Sequence, residues 1–193
     1  WYSLQPEDAS LPTFLRGLTD ALRLRLPDLP DELDTVLASS LGPDTDDLAR
    51  ADALAAALGE ALELGLASDL VLVLDDVHEL PAGGPSARLV EGLARHAPAL
   101  FHLVLSSRVE PPFPIQRLRG RGQVLELDGA LLALGQEETG ELLAAVLGPD
   151  GRELSEPLHR MTGGWPAATC LAAESLRRQR PREWASSLAS LHR

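Results

Sequence analysis

The sequence predicts a mixed α/β chain: a parallel sheet covered by helices over residues 1–130, then a small all-α helical bundle over residues 131–193. Three observations predict it. WYSL (1–4), DLVLVLDD (69–76), FHLVLSSR (101–108) and QVLEL (123–127) are short apolar runs that read as strands. The stretches between them carry apolar residues at spacings of three and four, and strands alternating with helices argue a parallel sheet. From Gly135 onward only the helical spacing remains.

Each element has a local reason. WYSL is followed by the acidic turn QPED. Leu11, Phe14, Leu15, Leu18, Leu22 and Leu26 form one helical stripe that stops before Pro27. The Pro- and Asp-rich stretch from Pro27 to Pro43 reads as a loop with one short helical turn near Leu33 to Ser40. Asp44, Thr45, Asp46 and Asp47 supply the cap and first-turn acids of a longer helix with the stripe Leu48, Ala51, Ala55, Leu58, Leu62 and Leu66. The run VLVLDDVHEL (71–80) is apolar at every position up to Asp75, which predicts a strand buried on both faces. PAGGP (81–85) then opens a helix with Leu89, Val90, Leu93 and Ala97 inward, closed by Pro98. In the second part, GQEETGELLAAVLGP has an acidic first turn, a stripe of Leu142, Leu143 and Val146, and a Gly148-Pro149 stop. Further helices are expected from about Arg152 to Thr162, from Pro166 to about Gln179, and after Pro181.

Composition narrows the function classes. The chain has 193 residues, 45% of them hydrophobic, enough for one well-cored domain with a small helical appendage. No apolar run approaches the roughly 18 residues of a membrane span, and no signal-peptide pattern opens the chain. A single cysteine, Cys170, leaves no internal disulfide, so a cytoplasmic location is expected, and its place beside Leu171 predicts an inert buried thiol. Lysine and asparagine are absent and Ile115 is the sole isoleucine, a pattern expected of a bacterial source with GC-rich codons. Residue 1 is Trp, inside a strand-like segment, and this predicts a further segment upstream. A net charge of −12, concentrated before residue 80, makes the chain a poor partner for a phosphate backbone.

Two adjacent acids at the carboxyl end of a buried strand, Asp75 and Asp76, sit where open α/β sheets place ligands. One carboxylate there can hold Mg²⁺ through its waters while the other orients a water towards a γ-phosphate. Asp also starts turns after strands, so the run alone leaves both readings open. The next strand ends in Ser106, Ser107 and Arg108, and an arginine at that edge can reach the same phosphate or serve as a solvated loop residue. His78, His96, His102, His159 and His192 lack metal-ligand spacing, and no base is spaced to activate Ser106 or Ser107. Trp165 can flank a nucleotide or fill a packing role.

The ordered set WYSLQPEDASLPTFLRGLTDALR, VLVLDDVHEL, HLVLSSRVEPPFPIQRLRGRGQVLEL and MTGGWPAATCLA resembles the STAND class of P-loop ATPases, specifically the MalT-like, LuxR-type ATP-dependent transcriptional regulators of bacteria. The resemblance covers nearly the whole chain and implies a parallel P-loop-type sheet. It implies Asp75 as the Walker B magnesium ligand, Asp76 as the water-activating or structural acid, and Arg108 as the sensor arginine. Gly164-Trp165-Pro166 resembles the GxP motif, whose proline packs near the adenine. Arg119 and Arg121 match a basic segment that is read as a charged loop. The implied cofactors are ATP and Mg²⁺. The implied partners are ATP, a second copy of the parent protein, and DNA only through a downstream domain, with no membrane contact.

The GxxxxGK[ST] stretch that cradles phosphates in that family has no counterpart in a chain without lysine. The resemblance places it upstream of Trp1, on a strand between FHLVLSSR and QVLEL, so the sheet is expected to be incomplete and its exposed edges prone to aggregation. The expected function is the central part of a signal-transducing ATPase switch, the parent a slow ATPase and this segment alone inactive. The alternatives are a non-catalytic scaffold or oligomerisation module of the same fold, or the same ATPase fused to a kinase or cyclase output.

Overall fold

A computed structural model describes residues 1–27, 29 and 46–191. The helical turn expected over 33–40, and Asp44 and Thr45, lie outside the described residues. The chain divides into two compact units, Trp1–Val124 and Leu125–Arg193.

The first unit is built on a three-stranded parallel sheet in the order β1 (Tyr2–Ser3), β2 (Leu70–Asp75), β3 (Phe101–Leu105). Tyr2 pairs with Leu74 and Ser3 with Asp75, while Leu70 to Leu74 pair in step with Phe101 to Leu105. β2 is therefore the central strand. Its neighbours are separated from it by α1 (Leu11–Arg23), α2 (Asp47–Gly65) and α3 (Pro85–His96), as parallel pairing requires.

The helical stripes reach the core largely as the spacing predicts. Leu11, Phe14, Leu15, Leu18 and Leu22 of α1 are buried, but the helix ends at Arg23 and Leu26 packs from beyond it. In α2 the buried face is Ala51, Leu54, Ala55, Leu58 and Leu62; Leu48, in the first turn, is 40% exposed. In α3, Leu89, Val90 and Leu93 are buried, whereas Ala97 is the exposed residue that caps the helix. QPED forms a 3₁₀ turn (Pro6–Ala9), where buried Asp8 accepts hydrogen bonds from the Tyr2 hydroxyl at 2.5 Å and from the Gln5 amide at 2.8 Å. Burial, then the Asp8 carboxylate, pushes the Tyr2 phenol well above its usual range.

Two sequence expectations for the sheet need correction. The first concerns two-sided burial. Leu72, Leu74 and Phe101 join the core with Phe14, Leu15 and Leu58, and Leu70, Leu103 and Leu105 pack against it. The alternate residues face the other way: Val71 is 56% and Val104 46% exposed. Strand residues alternate between faces, so an unbroken apolar run records a second face suited to burial; here that face is only part-covered. The second concerns QVLEL, which is not a strand. The Gln123 amide bonds back to the Leu118 carbonyl at the end of α4 (Gln116–Gly120), and Leu125 and Leu127 are 84% and 60% exposed. A strand exists only with a partner for its amides, and all pairing among the described residues is between β1, β2 and β3.

The second unit has α5 (Gly129–Leu132), α6 (Gln136–Leu147), a 3₁₀ turn (Pro149–Leu154), α7 (Ser155–Thr162), α8 (Pro166–Arg177), a 3₁₀ turn (Pro181–Glu183) and α9 (Trp184–Leu191). Its core is Leu143, Leu154, Leu158, Ala173, Leu176, Trp184 and Leu188, and the Trp184 indole donates to the Leu176 carbonyl at 2.9 Å. The expected burial of Cys170 is overturned: the thiol is exposed and Leu171 is 72% exposed. The inward stripe of α8 is Thr169, Ala173 and Leu176, four and three apart, which turns Cys170 and Leu171 outward. No described helix is long and apolar enough to cross a membrane.

Two features of the α2–α3 contact are testable. A Cβ built on Gly92 would lie 2.4 Å from the Ala55 Cβ, far inside the roughly 3.5–4 Å of a carbon contact. Replacing glycine by alanine in a helix favours folding by about 1 kcal/mol, but overpacking at a rigid neighbour costs about 1–3. Gly92→Ala is therefore expected to lower stability in a denaturant titration, and a gain would contradict the close approach. Across the same contact Arg88 grips Asp52 with two bonds of 2.9 and 3.0 Å, and Arg95 adds one of 3.2 Å. The Arg88 hydrogen bond leads in holding the Asp52 carboxyl below its usual range. A depressed folded pKa stabilises above the unfolded value, near roughly pH 4, and that contribution fades as pH falls through the folded value. The pair is part-exposed, so Asp52→Asn should cost no more than about 1 kcal/mol at pH 7. Thermal melts of the two proteins should converge in acid.

Candidate functional site

The chemistry-bearing residues of the first unit gather at the carboxyl end of β2 and β3. β2 ends on Asp75, and the parallel register continues past Leu74 and Leu105, so Asp75 and Ser106 stand side by side. Alternation places both on the face that carries Val71 and Val104. Backbone bonds lock the strand ends: Ser106 N donates to Leu74 O at 3.0 Å, Val77 N to Ser106 O at 2.9 Å, and Leu4 N to Asp75 O at 2.9 Å.

Asp75 uses its two carboxylate oxygens unequally. Oδ1 accepts from the Ser106 hydroxyl at 2.6 Å and from the Asp76 amide at 3.1 Å. The shorter bond has the length of a charge-assisted O–H···O⁻ contact. Oδ2 has no hydrogen-bond partner among the described residues.

Asp76 both starts a turn and presents a carboxylate. Its φ of 58° and ψ of 42° are left-handed, and it is the one non-glycine residue with positive φ among the described residues. Aspartate is among the few residues that tolerate this conformation. It caps the 3₁₀ turn Val77–Glu79, whose Glu79 amide returns to the Asp76 carbonyl at 2.9 Å. Oδ1 of Asp76 lies 3.7 Å from His78 Nδ1 and 3.9 Å from Arg108 Nε. These are electrostatic contacts rather than hydrogen bonds. His78 Nδ1 is buried without a hydrogen-bond partner among the described residues, while the Arg108 side chain is 80% exposed. Sequence reading named Asp75, Asp76 and Arg108; it passed over Ser106 as a partner of Asp75 and His78 as a neighbour of Asp76. The missed signal for Ser106 was register, since a parallel pair aligns the residues just beyond two strand ends.

Gly164 and Pro166 belong to the second unit. Gly164 has φ of 76°, and a Cβ there would sit 2.3 Å from the Leu134 carbonyl oxygen. Only glycine permits both the conformation and that approach, and Leu134 N donates to Gly164 O at 2.8 Å. Trp165 is 66% exposed and caps α8, and Pro166 takes the first helical position, where its missing amide costs nothing. No group of three or more His, Cys, Asp or Glu side chains among the described residues is arranged to hold a metal.

The left-handed turn gives a direct test of Asp76. Asp76→Gly should leave the thermal midpoint unchanged or raised, whereas Asp76→Val should cost about 1–2 kcal/mol from the clash of a side chain at positive φ. Equal stability of the two variants would contradict the turn.

No family model matches the chain. One curated protein that it resembles is the HTH-type transcriptional regulator MalT of Serratia proteamaculans (strain 568), 33% identical over 109 residues. That match covers 56% of this chain and 12% of the regulator, so the chain spans a small part of that protein's length. The likeness supports a distant relationship to a transcriptional regulator.

Proposed function

We propose that this chain is the central part of a signal-transducing ATPase switch in a bacterial transcriptional regulator, supplying the acid and arginine half of an ATP–Mg²⁺ site. The observation that carries the reading is the state of Asp75, an acid at the carboxyl end of a central parallel strand with one oxygen held by two donors and the other without a partner among the described residues. Magnesium keeps several waters and takes only one or two carboxylates alongside substrate phosphates. A single oriented carboxylate fits that habit. Bound there, Mg²⁺ would neutralise charge on the phosphates.

The remaining roles belong to the chain itself. Asp75 would hold the cation's water shell through Oδ2. Asp76 accepts a proton from the attacking water, whose oxygen bonds to the γ-phosphorus as the bond to the ADP oxygen breaks. The Arg108 guanidinium, exposed at the same strand end, meets the charge that develops on the transferred group. The phosphate-cradling loop belongs to an upstream strand–loop–helix unit. That unit would pair beside β3 and lie over Val71 and Val104, each about half exposed, so that covering each would contribute about 1 kcal/mol. ATP then favours one conformation of the whole switch, and hydrolysis releases it.

Extending the chain upstream by about 40 residues, one strand–loop–helix unit, should confer ATP binding in a calorimetric titration. In that protein Asp75→Ala should abolish Mg²⁺-dependent hydrolysis, and Arg108→Ala should lower kcat by about 10²-fold. An extended protein that binds no nucleotide, or an Asp75→Ala variant with intact hydrolysis, would contradict the reading.

A further inference from the structure

We infer that Ser106 is the positioning residue of the Asp75 carboxylate, fixing which of its oxygens is offered to a divalent cation. The inference rests on the ATP–Mg²⁺ reading of the site and assigns a residue that the strand-end acids and Arg108 leave unassigned.

The backbone of Ser106 already ties β3 to β2 on both sides, through Ser106 N to Leu74 O and Val77 N to Ser106 O. The hydroxyl is not needed for that tie, yet it makes the shortest polar contact of the site, 2.6 Å to Asp75 Oδ1. An aspartate has one soft terminal torsion, broad and roughly two-fold, so an unrestrained carboxylate would exchange its oxygens freely. Two donors on one oxygen, the hydroxyl and the Asp76 amide at 3.1 Å, remove that freedom and leave Oδ2 without a hydrogen-bond partner among the described residues. Ser107, the neighbouring hydroxyl, instead accepts from the Val109 amide at 3.4 Å within its own loop, which makes it a control rather than a candidate.

Groups that orient a metal-binding carboxylate change metal affinity by about 10–100-fold when removed. The test uses the upstream-extended protein saturated with a non-hydrolysable ATP analogue, with Mn²⁺ binding read by electron paramagnetic resonance. Ser106→Ala is expected to weaken Mn²⁺ binding by about tenfold. Analogue affinity measured in EDTA should stay unchanged, and Ser107→Ala should bind metal as the parent does. The near-isosteric pair Ser106→Thr and Ser106→Val separates the hydroxyl from packing: Thr should retain the metal and Val should weaken it, and this pair decides the matter if the alanine variant does not fold. Parent-like Mn²⁺ affinity in Ser106→Ala or Ser106→Val, with affinity lost in Asp75→Ala, would overturn the role of Ser106 and leave the site reading standing. Full Mn²⁺ affinity in Asp75→Ala, or no analogue binding by the extended protein, would overturn both.

Discussion

The pairing of β2 on both of its edges is the constraint on which the rest of the first unit depends. A parallel ladder cannot be closed by a tight turn, so each pairing demands a crossover, and α1, α2 and α3 lie on those crossovers. Leu72 and Leu74 anchor the strand to the helices, and the same register that buries them brings Asp75 beside Ser106. Core and site are thus two readings of one alignment. A slip of one residue would send Leu72 and Leu74 to the open face and Asp75 into the core, so the apolar face itself fixes where the acid stands.

Local chemistry refines that placement. Asp76 leaves the strand in a left-handed conformation, which ends β2 sharply. His78 Nδ1 and Arg108 Nε approach the same oxygen of Asp76 without bonding to it. The positive charge at this edge belongs to an exposed arginine, while the acids are part-buried. The second unit follows a different logic: a small leucine core closed by a buried tryptophan, and a glycine at Gly164 that no other residue could replace without moving the Leu134 carbonyl.

Much of this was legible in the sequence because helices of three or more turns record their buried face in their spacing, as the stripes of α1 and α3 do. Three of the four expected strands, within WYSL, DLVLVLDD and FHLVLSSR, were legible from their short apolar runs. The failures share one cause: a sequence states what a residue is suited to meet, and the partner decides whether it meets it. QVLEL has the composition of a strand, but all described pairing is among three other strands. Val71 and Val104 are suited to a covered face and are exposed. Cys170 and Leu171 look like core residues, yet the stripe that packs is set by Thr169, Ala173 and Leu176. Asp75 and Asp76 were recognisable as a pair of acids. Their different circumstances, one pinned by a neighbouring strand's hydroxyl and one bent into a turn, depend on register and backbone torsion, which composition does not encode.

The central claim is that the open oxygen of Asp75 faces a nucleotide-bound divalent cation. Its most direct test is a crystal structure of the upstream-extended protein grown with a non-hydrolysable ATP analogue and Mn²⁺, with the metal located by anomalous scattering. The account predicts a manganese peak within about 5 Å of Asp75 Oδ2, directly or through one water, with the analogue's terminal phosphate on the same side as Arg108. A nucleotide and metal bound away from the carboxyl end of β2 and β3 would contradict it.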